Sequence, residues 1–139
     1  MKTSTLAFLL VPLVTASFLC SYFLELTMSN AEQYLGLIAV VFIDGLFGII
    51  AGAKREGFQT RKAVRVLQRA VSWAMFLTVI LMVEKGFKGT AWLSEAVIIP
   101  FIILQLISAL KNASMAGFIK TEELNKILDR IDKHKGFRK

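Results

Sequence analysis

Nineteen residues from Leu35 to Ala53, LGLIAVVFIDGLFGIIAGA, hold a single charged side chain, Asp44, at their centre. At a rise of about 1.5 Å per residue such a run makes a helix of roughly 28 Å, close to the ~30 Å of hydrocarbon in a bilayer. Six Lys or Arg residues follow within sixteen positions, at Lys54, Arg55, Arg61, Lys62, Arg65 and Arg69, against one acid, Glu56. The stretch reads as a membrane span with a basic anchor after it. An ionised carboxylate near mid-depth costs about 2.5–3.5 kcal/mol on insertion scales. Asp44 therefore requires a polar partner from another helix.

Three further apolar runs follow the same logic. Leu6 to Leu24 carries no charge. It is longer than the apolar core of a secretory signal, and only Lys2 supplies a positive flank, which favours a retained span over a signal cleaved near Ser29-Asn30-Ala31. The uncharged stretch from Ala70 to Val83 is short for a span. Extended back to Val64, with its arginines snorkelling outward, it becomes long enough to cross. Ala91 to Leu110 forms the last span, with Trp92 and Glu95 at its entry and Gln105 and Ser108 separated by i, i+3. Expected spans are thus about 6–24, 35–53, 64–83 and 91–110. The fold class is all-α, a polytopic membrane protein with four transmembrane helices. Residues 1–110 form its membrane domain.

The segment 111–139 is more polar. Thr121 is placed to cap a helix opening with Glu122 and Glu123, and Leu124, Ile127, Leu128 and Ile131 repeat at helical spacing. A short basic amphipathic C-terminal helix is expected there. Thr60 is likewise expected to cap a helix after a break at Gly57.

A mean hydropathy of +0.61 and 55% hydrophobic residues exclude an ordinary soluble domain. The net charge of +7 comes from residues flanking apolar runs, so phospholipid headgroups rather than nucleic acid are the expected anions. Lys54, Arg55, Arg61, Lys62, Arg65 and Arg69 are the candidate lipid contacts. Fifteen of the seventeen basic side chains fall on one side of a four-span arrangement. The positive-inside rule then puts both termini in the cytoplasm.

Along the second span Asp44, Gly48 and Gly52 recur every four residues, and Gly48 to Gly52 is a GxxxG pattern that lets helix backbones approach in lipid. Two uses of this face are open. It packs within the subunit, with Asp44 bonded to a hydroxyl or amide there, or it meets other copies or lines an aqueous opening, a role in which Gln105 and Ser108 would join it. No catalytic set, metal-ligand cluster or cofactor loop occurs in the sequence. Cys20 and His134 are the single residues of their types, and neither suggests chemistry.

The segment Phe42 to Arg69, with Asp44, Gly48, Ala51, Ala53-Lys54, Gly57, Thr60, Lys62 and Arg69, resembles the small phage holin family that includes the clostridial toxin-secretion holins. Leu106 to Asn112 and Gly117-Phe118-Ile119 resemble that family's Ser-Ile-x-x-Asn stretch and the glycine turn after it. Two positions depart from the pattern: Gln105 stands where a glutamate is usual, and Lys120 where a proline opens the last helix. The resemblance implies a non-enzymatic protein that oligomerises in the bacterial cytoplasmic membrane and permeabilises it to release an endolysin or toxin. Two other readings share these spans. One is a membrane anchor for a phage-derived secretion or injection machine, holding a membrane-embedded or cytoplasmic protein partner. The other is a small proton-coupled exporter using Asp44.

Overall fold

A computed structural model of the chain describes the backbone of residues 2–135 and the side chains of residues 10–134. The expected basic end at Gly136 to Lys139, and the side chain of Lys2, lie outside the described residues. Five helices follow one another: α1 (Lys2–Ser29), α2 (Ala31–Glu56), α3 (Thr60–Gly86), α4 (Leu93–Met115) and α5 (Thr121–Lys135). The first four are long and apolar enough to cross a membrane. They run alternately up and down, joined by short turns, so one end of the bundle holds the α1–α2 and α3–α4 turns, where Glu25, Glu32, Glu84 and Glu95 outnumber Lys85 and Lys88, and the opposite end is basic.

The helices extend beyond the apolar runs that nucleate them. The polar stretch from Glu25 to Tyr34 is almost all helical, and Asn30 alone makes the turn between α1 and α2. Charged and polar residues at span ends keep helical hydrogen bonding while their side chains reach water, so hydropathy marks the lipid-covered part and not the helix end. The same applies to α4, which continues past Leu110 to Met115. At the other turn Gly57 ends α2 with φ of 80°, a conformation suited to glycine. Thr60 is the first helical residue of α3 and not its cap. The cap position belongs to Gln59, which makes no side-chain capping bond. Thr121 likewise opens α5, and the Lys120 amide donates to Glu123 Oε2 at 3.4 Å, the backward half of a capping box.

Within the bundle α2 is central, packed between α3 and α4. Their apolar core lies toward the acidic end: Leu37 and Val41 of α2, Leu77, Ile80 and Leu81 of α3, and Ile98 and Phe101 of α4. Trp73 stacks on Phe101 with ring centroids 3.6 Å apart. Tyr34 Oη lies 2.7 Å from Thr78 Oγ1, and Glu84 accepts a 2.6 Å bond from the Ser94 amide at the start of α4. This carboxylate satisfies one of the open donors that every helix amino end presents. In contrast α1 is peripheral, with 6% of its span buried against 28% for α2. Val14, Phe18, Leu46, Phe76 and Leu104 point outward, as expected of helices whose solvent is lipid.

α5 joins α4 through Leu124, which is buried. Farther along, the two helices enclose an apolar cleft of about 630 Å³ lined by Ile103, Leu106, Ile127 and Ile131, with Arg130 and His134 at its edge.

Candidate functional site: a polar cluster within the spans

Toward the basic end the core changes character. Asp44 is buried, with 4% of its side chain exposed, and it has two partners. Asn112 Nδ2 of α4 donates to Oδ1 at 2.9 Å. Arg69 Nη1 of α3 donates to Oδ2 at 3.3 Å. One carboxylate thus ties the three central helices together. Using about 1.5 Å per residue, Asp44 lies roughly 18 Å along α2 from Glu32, and Arg69 roughly 22 Å along α3 from Glu84. The two side chains meet within about one helical turn of the same depth, well inside the apolar slab. There a charge-assisted hydrogen bond replaces the hydration that lipid denies.

Glycines make this approach possible. A Cβ on Gly45 would lie 2.3 Å from Val66 Cγ1, so α2 and α3 touch backbone to side chain at that point. At Gly48 a Cβ would come 3.3 Å from Asn112 Nδ2, and at Gly52 it would come 2.8 Å from Lys62 Nζ. Within a single chain the GxxxG face is therefore occupied by α3 and α4 of the same chain. Gly45, which stands outside the GxxxG pair, makes the tightest of the three contacts.

The α4 carboxyl end locks onto α2. Gly117 adopts φ of 87°, and the Phe118 amide bonds back to the Ala113 carbonyl at 2.9 Å, closing α4 in a left-handed cap. That turn sets Phe118 against Phe47, centroids 5.5 Å apart. Lys54 Nζ donates to the Ala116 carbonyl, a cation placed at the negative end of the α4 dipole.

Beside the cluster a recess of about 300 Å³ opens between α2, α3 and α4, with Asp44, Gly48, Ser108, Lys62, Arg65 and Arg69 among its lining residues. The structure brings Asp44, Gly48 and Ser108 together there. Gly52 lies one turn farther along α2, against Lys62. Gln105 is half-buried, and its Oε1 has no hydrogen-bond partner among the described residues. The six basic candidates separate: Lys62, Arg65 and Arg69 line the recess, Lys54 is held by α4, and Arg55 and Arg61 are exposed. Lys62 also pairs with Glu56 across the α2–α3 turn at 3.3 Å, an exposed pair that contributes little.

Sequence reasoning required a partner for Asp44 without naming one. From sequence Arg69 is a candidate for lipid phosphates, and Asn112 lies beyond the expected end of the last span. Helical spacing held the missing signal: Ser108 and Asn112 are four residues apart and share a face of α4.

Among the described residues no group of acidic, His and Cys side chains is arranged to hold a metal ion. A family model described as the bacteriophage holin family matches residues 22–133. The chain belongs to the bacteriophage holin family. The match takes in all of the central bundle and most of α5, so the polar cluster and the recess lie within the part of the chain that the family shares. No curated protein and no solved structure matches the chain. Family and architecture together make it a holin-like membrane protein.

Proposed function

We propose that the protein lies in the bacterial cytoplasmic membrane with its basic end and both termini inside. There it self-associates without catalysing a reaction, and it opens a lesion through which an endolysin or toxin leaves. The family match over residues 22–133 is the observation that carries this reading. The distribution of lysine and arginine supports the orientation.

The polar cluster supports a physical route to opening. In the resting subunit Asp44 is satisfied by Arg69 and Asn112, so the bundle is closed and its polar atoms face protein. As copies accumulate, α4 moves away from α2 and α3. Asp44, Gly48, Gly52, Gln105 and Ser108 then face other copies or line a water-filled opening, where water replaces the partners lost. Gln105 Oε1, without a partner among the described residues, favours such repacking, because an unsatisfied acceptor lowers the cost of leaving the closed arrangement. Outward-facing apolar residues such as Phe18 and Leu104 keep each copy in lipid throughout.

Induced expression in a bacterium together with a cytoplasmic murein hydrolase tests the proposal. The expected result is an abrupt loss of membrane potential after a delay, escape of the hydrolase, and a cross-linking ladder of the protein beforehand. Stable potential at every expression level would sink it. Recovery of a stoichiometric protein partner without leakage would indicate an anchor, and drug resistance abolished by Asp44→Asn would indicate an exporter.

A further inference from the structure

We propose that the recess between α2, α3 and α4 is a discrete binding site for the phosphate group of an anionic glycerophospholipid, with Arg65 as its principal ligand. This inference goes beyond lesion formation and stands on the four spans alone. Four observations converge on it.

The first is charge. Lys62, Arg65 and Arg69 line one recess of about 300 Å³. Lys62 and Arg69 have carboxylate partners inside the chain. Arg65, exposed, makes no ion pair among the described residues. Its planar fork of donors is free, and that geometry matches a phosphate in a bidentate contact. Asp44, the one acid on the lining, is buried behind Arg69 and Asn112, so its charge is largely compensated before a ligand arrives.

The second is the α3 amino end. Gln59 at the cap position contributes no side-chain hydrogen bond. The first residues of α3 are not on the recess lining and the Lys62 amide already donates to the Gln59 carbonyl at 3.0 Å, so the helix start contributes only the positive end of its dipole, which adds to the field around the cations.

The third is depth. Counted from Glu84 at the acidic end of α3, Arg65 lies roughly 28 Å along the helix at about 1.5 Å per residue. This is close to the ~30 Å hydrocarbon thickness, so Arg65 sits where the opposite leaflet carries its phosphates. Arg69, one turn deeper, is at the depth of Asp44 instead, and the two arginines divide the work between lipid and protein.

The fourth is shape. Gly45 and Gly48, packed against Val66 and Asn112, belong to the floor of the recess, and Ile49 and Val66 supply apolar surface beside the cations. A free phosphate ion has no use for those apolar walls. The glycerol and upper acyl carbons of a lipid do, which decides the occupant.

Native mass spectrometry of the full-length protein, released from detergent containing either phosphatidylglycerol or phosphatidylcholine, tests the site. One phosphatidylglycerol should stay bound per chain, and phosphatidylcholine, which offers the same phosphate but brings its trimethylammonium cation up to Lys62 and Arg69, should be retained about tenfold less. Arg65→Gln should weaken phosphatidylglycerol retention by about the same factor, whereas Arg55→Gln and Arg61→Gln, at exposed positions outside the recess, should leave it within about twofold. Thermal unfolding of the Arg65→Gln protein should match wild type, since the side chain is exposed. Equal losses in all three variants would overturn the proposal in favour of diffuse attraction. Displacement of the lipid by millimolar inorganic phosphate would overturn lipid as the occupant. Neither outcome bears on permeabilisation, which is measured separately in cells.

Discussion

The two ends of the central bundle use different physics. Toward the acidic end Leu37, Leu77, Ile80 and Phe101 pack into an apolar core with Trp73 stacked across it. Toward the basic end the same three helices meet through Asp44, Arg69 and Asn112, beside a recess of about 300 Å³. The apolar end is held by many small dispersion contacts that weaken gradually as helices separate. The polar end is held by a few directional bonds that are either made or lost, and water can replace them. The two ends of such a bundle should therefore respond differently to mutation.

Mutations can separate the two ends, beginning with the largest effect. Arg69→Leu leaves the Asp44 carboxylate buried with only Asn112 for a partner, and should cost about 3 kcal/mol, the lower part of the range for a broken buried pair because Arg69 itself is half-exposed. Asp44→Leu removes the buried charge and frees Arg69 to reach the headgroups, so it should destabilise less than Arg69→Leu. The reverse order, measured by unfolding in mixed micelles, would mean that the carboxylate is not what the arginine protects. Leu77→Ala, at a fully buried position of the apolar end, should cost about 2.5 kcal/mol through the cavity it leaves. It should lower accumulation in the membrane while leaving the triggering delay per molecule unchanged, which Arg69→Leu should shorten. If both variants alter the delay equally, the ends do not differ in role.

Smaller changes sharpen the contrast. Gly45→Ala forces its new methyl into Val66 and should cost about 1.5 kcal/mol by overpacking. Gly36→Ala on the same helix, nearer the acidic end, meets nothing within 4 Å and should stabilise by about 0.5 kcal/mol through reduced unfolded-state freedom. Thermal melts of the pair check this directly, and equal shifts would contradict the close approach at Gly45. Lys54→Met removes the bond to the Ala116 carbonyl and should cost about 1 kcal/mol.

The legibility of each end in the sequence follows from the same difference. Apolar runs declare spans because lipid rewards hydrophobic length, so all four helices and the amphipathic α5 were readable. The demand that Asp44 find a partner was readable too, since its burial cost is a property of one residue. The identity of that partner was not. Arg69 is 25 residues away in the chain, and an arginine at a span end serves equally well on a phosphate or a carboxylate. Asn112 follows Lys111, and that charge ends a hydropathy window although the two residues point in different directions, Lys111 exposed and Asn112 half-buried. The GxxxG pattern was visible as a close-approach surface, but a pattern carries no label for the helix it approaches. The single-residue turn at Asn30 was hidden because Glu25 and Glu32 are polar yet compatible with helix.

On the proposed route, separation of α2 and α4 at the polar end opens the membrane. Gly48→Cys combined with Asn112→Cys, in a Cys20→Ser background that removes the free thiol, places two sulfurs across that contact. Membrane potential should be followed in cells expressing this protein before and after a reductant is added. The oxidised form should accumulate without permeabilising the membrane, and the potential should collapse soon after reduction. Equal permeabilisation by the cross-linked and reduced forms would contradict this route.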